Sequence, residues 1–512
     1  MSTATMMMPL LVNIVNTACI VISGLLVLTV LAVVFCRARA HRLRSRQEQP
    51  QQHPGKNHDK KVLAFFHPHC SGGGGGERVL WKAIQVLGTM MHEYPCLAGH
   101  VLIYTVDPPS PQYAQKVLQD VQDRFSIVLS DKLKIRFVHL HEYKPLLDPS
   151  PRLSLLVESL GAMRLAWHAL QKSQNELGML PHVFIDTTGC AFTFCPASLY
   201  YGCNVLAYVH YPTISTDMLQ MVWERRRAAY NHAPAIAESR VQTTVKLVYY
   251  CAFAVLYGLV GSLATTVMVN STWTYNHVQF LWKGPAWRRA IRIVYPPCAV
   301  TDLQSIGNDG NNDKDAKQRS PTIISIGQFR PEKDHVLQIE AFARLLHQEA
   351  SSSIIQTKAK LVLIGSCRHA DDEVRLQHLK QLVQELGLQE KVEFCVNQPY
   401  STIRHWLGQA SVGIHTMWNE HFGIGIVEMM AAGLIVVAHN SGGPQTDIIH
   451  DAQTGFLATT VDQYAVALHQ ALTMPAAQAA HMRRAARQSA QRFSDEVFAQ
   501  SFRDTIVQAK IL

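Results

Sequence analysis

Short apolar runs alternate with longer amphipathic stretches over most of the 512-residue chain. This alternation is typical of βαβ units, in which helices separate buried parallel strands. A first series of runs predicts strands at Val62–His67, Val101–Val106, Ile135–Leu140, Val183–Ile185, Val205–Val209 and Thr266–Val269. A second series predicts strands at Thr322–Gly327, Leu361–Gly365, Val392–Val396, Val412–His415 and Gly433–Val437. The pattern therefore predicts an α/β protein with two Rossmann-like domains, at residues 62–300 and 321–491.

A polar stretch separates the two series. Two prolines, Pro296 and Pro297, close the first domain, and residues 305–320 are rich in Asn, Asp, Gly and Lys. We interpret residues 301–320 as an interdomain linker, and Asp313-Lys314-Asp315 within it as solvated side chains rather than a metal motif. After the second domain, residues 492–512 predict a terminal helix that packs back across the domain interface.

The N-terminal 61 residues have the pattern of a membrane anchor and a tether. Residues 1–36 carry no charged side chain, and Leu10–Cys36 is long and apolar enough to span a bilayer. The following segment, 37–61, holds eight basic and two acidic residues, and so contributes six of the net charge of +9. We therefore predict a transmembrane anchor, a basic tether near anionic headgroups, and domains on the cytosolic side. The near-neutral remainder argues against a nucleic-acid partner.

A second uncharged run, Leu247–Val269, lies inside the first domain. If it crossed the membrane, the two halves of any interdomain cleft would lie on opposite sides of the bilayer. We therefore predict a membrane-associated helix near residues 245–264, with an exposed aromatic side that faces the lipid part of an acceptor, or alternatively a plain core helix. The 11 cysteines are scattered singly, which favours a reducing compartment over a disulfide framework.

A run of five glycines follows the first predicted strand, ahead of a helix predicted from about Val79. Consecutive glycines are costly to order, so they indicate close approach of the backbone to a bound group. We predict an acceptor-binding or phosphate-binding loop here. Its residues are Gly72, Gly73, Gly74, Gly75, Gly76 and Glu77. His210 follows another strand, at the edge where parallel sheets bind ligands.

The second domain places two carboxylates around a glycine-containing turn. Glu420 precedes Gly423 and Gly425, and Glu428 is predicted to lie one turn or more inside the helix that follows. Backbone N–H groups at such a helix start suit a diphosphate, and carboxylates suit hydroxyl groups. This segment is therefore a candidate site for a sugar nucleotide.

The Glu420-to-Glu428 segment resembles the Glu-x7-Glu signature of retaining glycosyltransferases of the GT-B architecture, in which two Rossmann-like domains face a central cleft. The resemblance implies that Glu420 lies against the transferred sugar, that Glu428 binds the ribose, and that His210 sits beside the reacting carbon. Glu420 and His210 are thus the implied catalytic residues. The other implied donor-binding residues are Arg330, Lys333, Phe422, Gly423, Ile424 and Gly365. No metal ion or other cofactor is implied.

Several segments narrow the resemblance to the α-1,2-mannosyltransferases of the dolichol pathway. They are the anchor, the glycine loop from His67 to Arg78, the Val209–Ser215 segment and the Gln328–Lys333 segment, where Gln328 stands at a position usually occupied by arginine. This implies transfer from GDP-mannose to a dolichyl-diphosphate oligosaccharide, adding its fourth and fifth mannoses. It also implies a single-pass protein of the endoplasmic reticulum membrane that contacts membrane lipid and other dolichol-pathway mannosyltransferases.

Three alternatives remain at the level of sequence. A transferase that uses a UDP-sugar and a lipid such as phosphatidylinositol would share nearly all these motifs. A nicotinamide-dependent oxidoreductase would need a spaced G-x-G-x-x-G, which the chain does not show. A non-catalytic membrane scaffold would tolerate Glu420→Gln and Glu428→Gln.

Overall fold

A computed structural model describes residue 38 and residues 60–97, 99–150, 153–225, 239–306, 319–347 and 353–509. The predicted anchor and nearly all of the predicted tether lie outside these residues, as does most of the predicted linker.

The first domain is built on a seven-stranded parallel sheet with the order β3-β2-β1-β4-β5-β6-β7. Its strands are β1 Leu63–Phe66, β2 His100–Thr105, β3 Lys134–His139, β4 Val183–Asp186, β5 Asn204–Val209, β6 Thr266–Val269 and β7 Ile291–Ile293. Its helices are α1 Gly75–Met90, α2 Tyr113–Phe125, α3 Ser154–Leu177, α4 Thr216–Trp223, α5 Arg240–Gly261, α6 Thr272–Leu281 and α7 Lys283–Trp287. Because the strands are apolar on both faces, helices cover both sides of the sheet.

The second domain repeats this plan with a six-stranded parallel sheet in the order β10-β9-β8-β11-β12-β13. Its strands are β8 Ser320–Ile326, β9 Lys360–Gly365, β10 Val392–Val396, β11 Ala410–His415, β12 Ile435–His439 and β13 Gly455–Ala458. A short helix, α8 Val300–Gln304, joins the domains. The later helices are α9 His335–His347, α10 Ser353–Lys358, α11 Ala370–Glu385, α12 Tyr400–Gln409, α13 Ile424–Ala431, α14 Val461–Thr473, α15 Ala476–Ala490 and α16 Asp495–Gln508.

The last helix, α16, returns to the first domain and packs against α1. Phe498, Phe502 and Ile506 are buried in the first domain's core, although they lie at the end of the chain. Asp495 accepts hydrogen bonds from Arg78 at 2.9 and 3.1 Å. This contact ties the two domains together behind the cleft.

The structure corrects the predicted start of α1. The helix begins at Gly75 rather than near Val79, so two of the five glycines lie in its first turn. The reason is a cap: the Glu77 carboxylate folds back and accepts the N–H of Gly74 at 2.8 Å. Strand β13, for which the sequence analysis made no prediction, completes the second sheet beside β12.

The prediction that the apolar helix exposes its aromatic side to the lipid part of an acceptor is wrong. In α5, Tyr250, Phe253 and Tyr257 are buried in the core of the first domain. The exposed side carries aliphatic residues instead, namely Val241, Val245, Val248, Val255 and Leu259. Large planar rings fill the space against the sheet and α6, and smaller branched side chains are left at the surface.

Candidate active site

The site lies where the strand order reverses in each sheet. The reversal falls between β1 and β4 in the first domain and between β8 and β11 in the second. Ligands of open parallel sheets bind at the carboxyl ends of the strands at such points. Two cavities of about 270 and 690 Å³ occupy the cleft between the domains, and Gly75, Ile326 and Ile424 line both of them. The two cavities therefore adjoin and can hold one extended ligand.

Glu420 lies in the smaller cavity, in the loop between β11 and α13. Lys333 Nζ donates to Glu420 Oε2 at 2.6 Å, and His415 Nε2 lies 3.1 Å from the same oxygen. Burial raises the pKa of Glu420, but Lys333 and His415 outweigh it and hold the pKa well below its usual range. Glu420 is therefore an ionised carboxylate although its side chain is largely buried.

The loop that carries Glu420 is held by its backbone. Gly423 has φ of +114°, a conformation that favours glycine, and α13 starts at the next residue. Phe422 is buried, with its ring 5.8 Å from Tyr295 and 5.2 Å from Phe493. The Phe422 side chain thus anchors the loop, while the first N–H groups of α13 start at the cleft.

His210 lies in the same cavity, at the end of β5 in the first domain. Its backbone carbonyl accepts a hydrogen bond from Asn270 Nδ2 at 2.7 Å. Its buried Nε2 has no hydrogen-bond partner among the described residues. Burial lowers the pKa of His210 to about 4, so the imidazole is neutral at physiological pH. A neutral ring with an unpartnered nitrogen suits a hydrogen bond to a bound ligand.

The five glycines make room for particular neighbours. A Cβ on Gly72 or Gly74 would meet the Glu77 carboxylate, at 2.7 and 2.8 Å respectively. At Gly73 it would lie 2.5 Å from Arg124 Nη1, and at Gly76 it would lie 3.6 Å from His210 Nε2. The Glu77 carboxylate is ionised: although burial raises its pKa, His67 and the backbone N–H of Gly74 bring it down to about 2.

The larger cavity holds Glu428, the fifth residue of α13, as the sequence placed it. Burial raises the pKa of Glu428, and Arg78 opposes that effect. Gly365 lies opposite, at the end of β9, where a Cβ would come too close to the backbone oxygen of Gly327. The cavity thus combines a carboxylate with closely packed backbone, which suits a ribose and a flat base.

The predicted site residues divide between the two cavities. The smaller is lined by Gly75, Gly76, His210, Lys333, Glu420, Phe422, Gly423 and Ile424, and the larger by Gly73, Gly74, Gly75, Gly365, Ile424 and Glu428. Gly72, Glu77 and Arg330 line neither. Gly72 lies against the Glu77 carboxylate, which caps the loop at the N–H of Gly74. Arg330 is half-buried and lies three residues before Lys333, so its role as a phosphate ligand stays a prediction.

Three residues that sequence reasoning missed also contribute. His415 is the last residue of β11, at the point where the strand order reverses, so its position in the sequence could have identified it as a site residue. His421 stacks on Tyr211 of the first domain, with ring centroids 5.1 Å apart. Asp217 of α4 accepts a hydrogen bond from Asn419 Nδ2 of the second domain at 2.7 Å. No sequence spacing reveals that last contact, because it joins residues 202 positions apart.

Within the described ranges, no group of three or more His, Cys, Asp or Glu side chains is arranged to hold a metal ion. The two facing Rossmann-like domains and the carboxylate-bearing cleft define a GT-B glycosyltransferase. Solved structures show the same fold. A sucrose-phosphate synthase from Thermosynechococcus elongatus superposes with a TM-score of 0.59 at 18% identity, covering 88% of this chain and 99% of that one. Anabaena Alr3699/HepE, solved with UDP-glucose, superposes with a TM-score of 0.56 at 14% identity, covering 88% and 100%.

Sequence comparison gives the family. Residues 60–282 match the ALG11 mannosyltransferase N-terminus, and residues 309–489 match glycosyl transferases group 1. Proteins named GDP-Man:Man(3)GlcNAc(2)-PP-Dol alpha-1,2-mannosyltransferase are 46% identical in Xenopus laevis, covering 86% of each chain, and 44% identical in Homo sapiens, covering 88% of this chain and 87% of the human one. The chain belongs to this family of mannosyltransferases.

Proposed function

We propose that this protein transfers mannose from GDP-mannose to a dolichyl-diphosphate-linked Man(3)GlcNAc(2) oligosaccharide, forming α-1,2 linkages. The name carried by relatives that are 46% and 44% identical supports this donor and acceptor. The fourth and fifth mannoses of the oligosaccharide would be added in succession, with retention of configuration and without a metal ion. The observation that carries the proposal is one cavity in the interdomain cleft that is lined by the ionised Glu420 and by His210, whose Nε2 has no hydrogen-bond partner among the described residues.

The donor would lie across the two cavities with its sugar in the smaller one. The mannose would occupy the smaller cavity between Glu420 and His210, and the nucleoside would occupy the larger one near Glu428 and Gly365. The diphosphate would then pass the wall shared by Gly75 and Ile424, where α1 and α13 begin. Partial positive charge at both helix starts favours an anion at this junction.

The chemical step exchanges one bond at the anomeric carbon for another. The acceptor hydroxyl oxygen bonds to that carbon while the bond to the diphosphate oxygen breaks and its electron pair leaves with GDP. The hydroxyl proton passes to the leaving diphosphate oxygen on the same face of the sugar, which retains configuration. Glu420 would stabilise positive charge on the sugar, and the helix starts would stabilise the charge that develops on GDP.

The neighbours of Glu420 suit this task. Lys333 and His415 share its Oε2, which keeps the group ionised and fixes its orientation. His210 would orient the mannose by accepting a hydroxyl hydrogen bond, because its imidazole stays neutral. Asn419 and Asp217 would keep the Glu420 loop in register with the first domain. Closure of the domains would exclude water, which would otherwise hydrolyse the donor.

The exposed face of α5 supports a place at the endoplasmic reticulum membrane. Among the described residues, Arg240–Gly261 is the one helix long and apolar enough to cross a bilayer. Its buried aromatic side belongs to the first domain's core, so we propose that it lies on the membrane surface and does not span it. The predicted anchor, a cytosolic orientation and association with other dolichol-pathway mannosyltransferases belong to the same proposal.

The test is transfer of labelled mannose to a synthetic Man(3)GlcNAc(2)-diphospholipid with EDTA present. We expect two added residues, both released by an α-1,2-specific mannosidase, with GDP-mannose and not with UDP-glucose or UDP-galactose. Turnover with a UDP-sugar alone would keep the fold and reject the proposed donor. Loss of transfer in EDTA, restored by Mg²⁺ or Mn²⁺, would reject metal independence.

A further inference from the structure

The larger cavity contains a positive charge that the proposed mechanism does not use. Arg124, in the last turn of α2, lines this cavity from the first domain. Its side chain is exposed, and its Nη1 lies over the backbone of Gly73 in the glycine loop. No described residue forms an ion pair or a hydrogen bond with its guanidinium. The group is therefore available to a ligand.

Two other cations near the expected diphosphate are already paired, and Arg368 lines the cavity only from the second domain. Lys333 is bound to Glu420 at 2.6 Å, and Arg78 is bound to Asp495 at 2.9 Å. At the end of β8, the cavity wall carries the uncharged Gln328. A nucleoside diphosphate brings two or more negative charges into this space, and these need cationic partners or N–H donors. Arg124 supplies such a partner from the opposite side of the cleft.

We propose that Arg124 binds a phosphate of the nucleoside diphosphate donor and thereby couples donor binding to closure of the two domains. Glu428, Gly365 and Gln328 belong to the second domain, whereas Arg124 and Gly73 belong to the first. A donor held by both sets therefore bridges the domains. This inference rests on the proposed function, because it takes the ligand to be a sugar nucleotide.

The experiment compares binding of GDP and of guanosine by calorimetry to the full-length protein and its variants. Arg124→Met fills similar space without charge, and Arg124→Lys restores the charge without the planar fork. Arg292→Gln, on the exposed edge strand β7, is the matched control. We expect Arg124→Met to weaken GDP binding about tenfold, Arg124→Lys about threefold, and Arg292→Gln not at all. Guanosine binding should be unchanged in every variant, because guanosine lacks phosphate.

Two results would overturn the inference. Arg124→Met with the parent's GDP affinity would show that no phosphate contact exists. An equal loss of GDP and guanosine affinity would show a role in shaping the cavity only. If the parent prefers UDP to GDP, the proposed donor is rejected, and the same comparison with UDP and uridine decides the role of Arg124 independently.

Discussion

Glycines line both sides of the cleft, but they meet different kinds of neighbours. In the first domain, the glycines at 72–75 make room for the ends of side chains: the capping carboxylate of Glu77, and the tips of Arg124 and Ile424. In the second domain, a Cβ on Gly443 would lie 2.6 Å from both Cα and O of Phe422. The carbonyl of Glu420 also accepts the N–H of Gly443 at 2.8 Å. The glycines of the first-domain loop therefore pack against side chains, whereas Gly443 of the second domain packs against backbone.

This difference in packing suggests that the two domains contribute in different ways to the reaction. The second domain holds the ionised Glu420 in a fixed loop, as electrostatic stabilisation of a transition state requires. The glycine loop of the first domain can adjust at Gly73 and Gly75, because the tips of Arg124 and Ile424 rotate more readily than backbone shifts. Fixed charge on one side and an adjustable loop on the other suit an enzyme that must admit two substrates.

The largest effect should come from the fixed charge. Glu420→Gln keeps the shape of the side chain but removes the carboxylate that faces the sugar. We expect kcat to fall about 10²- to 10³-fold while GDP affinity changes little, because Glu420 lines the smaller cavity and the nucleoside would occupy the larger one. Steady-state kinetics and GDP calorimetry measure both. Unchanged kcat would mean that Glu420 only supports Lys333 and His415.

The next largest effect should come from Gly443→Ala. The added methyl group collides with the backbone of Phe422, so the loop that carries Glu420 must move. We expect kcat to fall about 10²-fold, since a displacement of about 1 Å near reacting atoms can cost that much. Gly408→Ala, in α12, is the control, because the nearest atom to its Cβ is a side-chain carbon of Ile306 at 3.2 Å. Equal activity of both variants would contradict a backbone-packed second domain.

A smaller effect is expected for Gly75→Ala in the adjustable loop. Its methyl group meets Cδ1 of Ile424 across the cleft, and that atom can rotate away. We expect kcat/KM to fall about three- to tenfold, although alanine at this position favours α1. Ile424→Val removes Cδ1, so the double variant should recover most of the loss. Failure of Ile424→Val to restore activity would place the defect elsewhere.

The smallest effect concerns folding stability at acid pH. Most of the stability that is lost as pH falls should be lost from the second domain. Burial lowers the pKa of His421 and His439 to about 4 and that of His335 to about 3. Between pH 6.5 and 4 the unfolded chain binds more protons than the folded protein, so stability is lost as pH falls. His335→Met should make this loss shallower by up to about 1.4 kcal/mol per pH unit.

Urea unfolding of the parent and His335→Met at several pH values measures that slope. Identical slopes would mean that His335 does not resist protonation in the folded state. Hydrogen exchange on the same samples should show opening of the second domain before the first. The opposite order would contradict the assignment of acid sensitivity to the second domain.

Sequence reasoning succeeded where periodicity and local chemistry agree. It found 11 of the strands, and the prediction that Glu420 precedes a helix containing Glu428 is confirmed. It failed where orientation depends on packing partners: α5 is apolar on both sides, so periodicity cannot say which side is buried. Asp217, Asn419 and Arg124 escaped because no local pattern shows that a polar side chain contacts the other domain or lines the cleft.

The central claim is that Glu420 and His210, from opposite domains, act on the same bound mannose. The most direct test is a double-mutant cycle on kcat/KM with Glu420→Gln, His210→Asn and both together. If the two residues form one centre, His210→Asn should cost about 10²-fold in the parent and much less in the Glu420→Gln background. An equal cost in both backgrounds would show that the residues act independently and would contradict this account.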